Sequence, residues 1–188
     1  ESSVAEYLPS FTISVLSLPM KNHATFRKDY QQFLDSRGKL KSMQVTQSKL
    51  KKKYSISPME LFDKFEVLEL ATATLPIGGS VEQINLIHID SRNAELIFAD
   101  PRITSLRGYE PAVHEWKYPS FVSSVYGDLF KLKDESCFTF IDEWLIIGSR
   151  KAVEEYVLRD ALHYTLKEYA SHAGERNLLS AKSAYVMA

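Results

Sequence analysis

The sequence predicts an α+β domain in which an antiparallel sheet, a meander plus a hairpin, carries amphipathic helices mainly on one face. Three observations predict it. Period-two apolar runs recur with short, turn-rich links between them, which favours antiparallel neighbours. Helix-period segments with recognisable caps follow the first of these runs. The stretch "SCFTFIDEWLIIGSRKAVEEYV", Ser136 to Val157, reads as two apolar strands turned directly into a helix.

In chain order, "FTISVLS" alternates Phe11, Ile13 and Val15 against Thr12 and Ser14, the signature of a half-buried strand that Pro19 ends. Asn22 then caps a helix with Phe26, Tyr30, Phe33 and Leu34 on one face, and Gly38 stops it. A second helix, Lys39 to about Lys53, has a thinner stripe of Leu40, Met43 and Leu50 and one wide wet face. "SPME" reads as a capping box, with Ser57 as N-cap, Pro58 at the first helical position and Glu60 three residues after the cap. The period then changes: "FEVLELATATLP", "INLIHID" and "AELIFAD" form a predicted meander joined by "IGGS" and "SRN". Residues 101–120 form a long irregular segment with three prolines and one glycine. Strands resume with "VYGDLFKL" and the 136–148 hairpin, after which Ser149 caps a helix carrying Val153, Tyr156 and Val157. A second register, Leu162, Leu166 and Tyr169, suggests a break near Asp160, and "NLLSAKSAYVMA" reads as the approach to another strand.

Composition narrows the classes. With 188 residues, 45% hydrophobic and 25% charged, the chain can bury a full core without staples, so disorder and coiled coil are poor readings. A net charge of -1 argues against a dedicated nucleic-acid binder. The single cysteine, Cys137, lies in a strand pattern and is expected as a small buried hydrophobe. The opening "ESSVAEYLPS" lacks an initiator methionine and suggests a cut or processed start.

"ELFDKF", "ELATATLP" and "FTFIDEWLIIGSRKAVEEY" resemble the motifs of an uncharacterised family of bacterial secreted or membrane-anchored proteins, domain of unknown function thirty-three fifty-two. The likeness spans nearly the whole chain and its motifs are structural. It implies that residues 1–188 are a single α+β domain of a longer, membrane-tethered parent with further strand-helix units. It also implies an extracytoplasmic location, in the periplasm or at the cell surface, and attaches no activity to the residues.

The candidate ligand-binding residues are Tyr109, His114, Trp116 and Tyr118, aromatics interleaved with polar groups such as Glu110 and Glu115 in the irregular segment. Against this stands the structural reading, which the general behaviour of aromatics favours: they plug the edge of the sheet, with Trp116 as a core anchor. Further along the chain, His88 and Asp90 fall on one face of a strand with Ile84 and Leu86, as a base and its orienting carboxylate would. No nucleophile is placed by sequence to complete a triad. Asp142 and Glu143 are explained by turn chemistry, and His163 by a surface position. "KLKKKY", Lys49 to Tyr54, suits a helix C-terminus and is also able to meet anionic headgroups. Five histidines and one cysteine show no zinc spacing, and no phosphate-binding loop is present, so neither metal nor cofactor is expected. The reading is a non-catalytic binding or assembly domain of a bacterial envelope protein, whose partner is an envelope protein, glycan or lipid and not a nucleic acid. The alternatives are a hydrolase or transferase with a site near His88 or His114, and a carrier of an apolar lipid.

Overall fold

The computed structural model describes residues 4–90, 104–106, 108–160 and 165–166. After a single 3-10 turn at Val4–Glu6 come β1 (Ser14–Pro19), α1 (His23–Ser36), α2 (Leu40–Tyr54) and α3 (Pro58–Phe65). They are followed by β2 (Glu69–Ile77), β3 (Ser80–His88), β4 (Ser105–Leu106), β5 (Val113–Glu115) and α4 (Phe121–Tyr126). A second 3-10 turn at Asp128–Phe130 leads to β6 (Cys137–Ile141), β7 (Trp144–Gly148) and α5 (Arg150–Asp160). One seven-stranded antiparallel sheet results, in the order β1-β2-β3-β7-β6-β5-β4.

Residue choice explains the centre of this order. β7, "WLIIG", is buried along its whole length, because Leu145 and Ile147 face one core while Trp144 and Ile146 face the other. A strand covered on both faces loses the alternation of a half-buried one. The first core lies under α1 to α4 and gathers Phe62, Phe65, Phe121, Tyr126 and Phe138. The second lies under α5 and the N-terminal segment, with Ala152, Val153, Tyr156 and Val157 packed on Ala73, Ile84 and Ile146. Four helices thus cover one face and α5 covers the other.

Local signals act where they were read. The Asn22 side chain accepts from the Thr25 N–H at 2.9 Å. The turn of "IGGS" places Gly78 and Gly79 at φ 52° and 77°, the paired positive values that a two-residue hairpin link requires. The Ser149 hydroxyl accepts from the Ala152 N–H at 3.1 Å and caps α5. Cys137 is a free, buried thiol.

Four expectations need correction. Ser57 is the N-cap of α3, but its hydroxyl makes no cap hydrogen bond. Glu60 instead accepts from the Ser57 backbone and from Lys51 Nζ at 3.0 Å, so only one half of the capping box forms. "VYGDLFKL" is no strand. Phe121, Val122, Val125 and Tyr126 are buried at helical spacing in α4, Gly127 at φ 98° ends it, and Leu129 is left 74% exposed. Within the segment expected to be irregular, β4 and β5 pair with each other and β5 with β6, because the β6 edge is open to them. The first strand begins at Ser14, three residues later than its alternation suggests. "AELIFAD", "SRN" and the terminal "NLLSAKSAYVMA" lie outside the described residues, as does the second helical register apart from the buried Leu166.

Candidate functional site

A cleft of about 420 Å³ lies where the start of α1 faces the turn from α3 into β2. One wall holds Lys21, His23 and Arg27, and the other holds Asp63 and Glu66. The local sequence builds it. Pro19 closes β1, Asn22 opens α1 three residues later, and Glu66 at φ 48° ends α3 in a left-handed residue, so two chain reversals meet.

Four side chains form a connected network at this wall. Tyr126 Oη and His23 Nε2 are 2.8 Å apart, His23 Nδ1 lies 3.6 Å from Asp63 Oδ1, and Arg27 Nη1 is paired with the same carboxylate. Burial lowers the imidazole below its ordinary value, with Asp63 opposing and Arg27 reinforcing the shift. Burial also pushes the Tyr126 phenol well up, so Tyr126 keeps its proton and donates to a neutral His23. The neutral imidazole then carries its single N–H on Nδ1, the nitrogen that faces Asp63. Chemically the network is a latch of α1 onto α3 and α4. The lining includes no hydroxyl or thiol side chain, and it presents an ammonium, a guanidinium and two carboxylates to whatever enters.

A second constellation sits where β3 meets β7. His88 pairs with Trp144 in the ladder and stacks on its ring, with centroids 4.8 Å apart. His88 Nε2 lies 3.1 Å from Glu143 Oε2, so its carboxylate neighbour is Glu143 and the expected pairing with Asp90 is not the one seen. Tyr7 leans on the same Trp144 and donates to Asp142 Oδ2 at 3.0 Å. Burial and this carboxylate raise the Tyr7 phenol to about 12.

Of the four residues read from the irregular segment, His114, Trp116 and Tyr118 gather around Phe138 and Phe121, while Tyr109 lies against the opposite core. Trp116 is 5% exposed, donates from Nε1 to the Tyr118 carbonyl at 2.8 Å and packs edge-on against Phe138. Tyr118 is 4% exposed and rests on Phe121 and Tyr54. His114 is 8% exposed, stacks on Phe138, has Nδ1 2.9 Å from Ser105 Oγ and is lowered by burial. Tyr109 packs against the opposite core and bonds Glu154, which raises it. Sequence reasoning missed His23, Asp63, Tyr126 and Tyr7. His23 was visible only as the first residue of a capped helix, and its partner Tyr126 stands 103 residues away.

Among the described residues, no three His, Cys, Asp or Glu side chains gather as a metal site requires, and no helix is long and apolar enough to cross a membrane. Compared with known protein families, curated proteins and solved structures, the chain matches none of them.

Proposed function

We propose that this domain is a non-catalytic binding or assembly module of a bacterial envelope protein, working through the cleft between α1 and the α3–β2 turn. The observation that carries the reading is the state of that cleft's polar groups. His23 is occupied by Tyr126 and Asp63 by Arg27, and no hydroxyl or thiol lines the wall, so the cleft offers fixed hydrogen-bonding and charge of both signs. Its mixed charges suit a polar envelope partner that carries both signs, such as a peptide-bearing glycan. The envelope assignment rests on the likeness of "ELFDKF", "ELATATLP" and the 138–156 hairpin-helix to the secreted family named above.

Thermal-shift titration with soluble cell-wall muropeptides tests the binding reading, run on the wild type and on a Lys21→Glu/Asp63→Asn variant. A shift present in the first and absent from the second supports it. Turnover of the muropeptide that disappears in His23→Gln would overturn it. For location, fractionation of native cells with an antibody to this domain is expected to find it with the envelope, and recovery in the cytosol would remove that assignment.

One observation favours a second reading. His88 and Glu143 have the separation of a base and its orienting carboxylate, so an acid–base site near the β3–β7 end is the enzymatic alternative. A pH-rate profile lost in Glu143→Gln would mark it.

A further inference from the structure

Charge is distributed unevenly along this chain of net charge -1: between Asp35 and Glu60 stand seven basic residues and no acidic one. Most of that run is α2. Leu40, Met43, Gln47, Leu50 and Tyr54 form its half-buried side, and Gln47 Nε2 donates to the Ser124 carbonyl at 2.7 Å, which fixes the helix against α4. Turned away from that side, at positions i, i+4, i+8 and i+11, are Lys41, Val45, Lys49 and Lys52, all exposed, with Val45 at 53%. Three ammonium groups thus lie along about 16 Å of one straight face.

Helix physics explains only part of this pattern. Lys51, Lys52 and Lys53 stand in the last turn, where cations favour the dipole. Lys51 is paired with Glu60, and Lys53 lies over the Tyr54 ring. Lys41 is in the first turn, where the dipole disfavours a cation, and Lys49 lies before the last turn. Those two and the exposed Val45 are what folding leaves unexplained, and Lys52, although suited to the helix end, continues the same face.

We propose that this face of α2 docks on an anionic lipid surface. Charge complementarity argues for the occupant, and residue type selects it. The face carries lysine and no arginine, and no aromatic platform, whereas nucleic-acid recognition draws on arginine forks and stacked rings. Lysine stems spread over headgroups with their ammonium ends at the phosphates, and the valine between them has an apolar layer to enter. The inference stands on α2 alone, and does not depend on what the α1–α3 cleft binds.

The test is flotation of the 188-residue chain with vesicles of phosphatidylcholine alone or mixed with phosphatidylglycerol. Binding is expected only with the anionic lipid and is expected to weaken as salt rises. Each lysine near such a surface contributes roughly fivefold in partitioning, so Lys41→Gln/Lys49→Gln/Lys52→Gln should lose on the order of a hundredfold. Lys131→Gln/Lys133→Gln, a change of the same kind outside α2, should leave binding within a fewfold of wild type. Circular dichroism of each variant checks that the helices persist. Equal binding to both vesicles, or a triple variant that still floats, overturns the proposal. So does retention of the wild type by duplex RNA without vesicle binding, which would assign the face to nucleic acid. A Lys21→Glu/Asp63→Asn variant should float like wild type even if the cleft reading fails.

Discussion

Glu135 offers the sharpest physical test of this structure. It lies between the second 3-10 turn and β6, is 7% exposed, and accepts the Ser120 N–H at 2.7 Å and a backbone bond from Leu132. Burial, the largest influence, raises its carboxyl from 4.5 to about 7; the two backbone bonds oppose this, and neighbouring Asp134 adds to it. The folded state therefore holds a proton that the unfolded chain has released, over the window from 4.5 to about 7. Stability is full below that window and falls as pH rises through it, by on the order of 3 kcal/mol in total. Replacing Glu135 with glutamine keeps an oxygen for the Ser120 N–H and removes the titration. Urea unfolding of both proteins on either side of the window gives the difference directly. His23 and His114, which lose stability on acidification because burial lowers them, are common to both chains and cancel. The expected result is a variant that gains on the wild type as pH rises. Two parallel stability profiles would refute the reasoning, because they would mean that Glu135 titrates alike folded and unfolded.

The same experiments reach three other sites. Trp116→Ala should cost roughly 3 kcal/mol or more, as truncation of a large buried aromatic does, and a wild-type urea midpoint would contradict its place in the core. Ser57→Ala should cost less than the ~1 kcal/mol of an ordinary cap, since the hydroxyl caps nothing, and a full cap-sized loss would show that it bonds in solution. In a proton NMR titration His23 should lose its proton below the ordinary imidazole range, and folding stability should fall as pH drops through that lowered value; titration at or above the ordinary range would disprove its burial against Tyr126.

The parts of the fold legible in the sequence were those whose stabilising partners lie within a few residues. Asn22 and Ser149 cap the helices they precede, the glycines of "IGGS" take positive φ, and the 137–148 hairpin feeds α5, because each depends on local dihedrals and short hydrogen bonds. β4, β5 and α4 were missed because their stability is borrowed. Two- and three-residue strands exist only where the β6 edge receives them, and a six-residue helix only where α2 and α3 cover it.

The candidate site divides the same way. The lysine stripe of α2 is periodic, so 3.6 residues per turn places it on one face without any knowledge of the rest of the chain. The cleft is not periodic. His23 meets Tyr126 across 103 residues and Asp63 across the packing of α1 on α3, while His88 exchanges the expected Asp90 for Glu143 because the β3–β7 register sets Trp144 beside it. Hydrophobic pattern and turn chemistry determined the longer elements, α1, α2, α3 and α5 with β2, β3, β6 and β7, for those energies are largely local. Which ionisable groups become neighbours, and therefore which are buried, neutral or paired, was decided only when the two cores closed on the sheet, since burial and Coulomb interaction depend on distances that sequence separation does not encode.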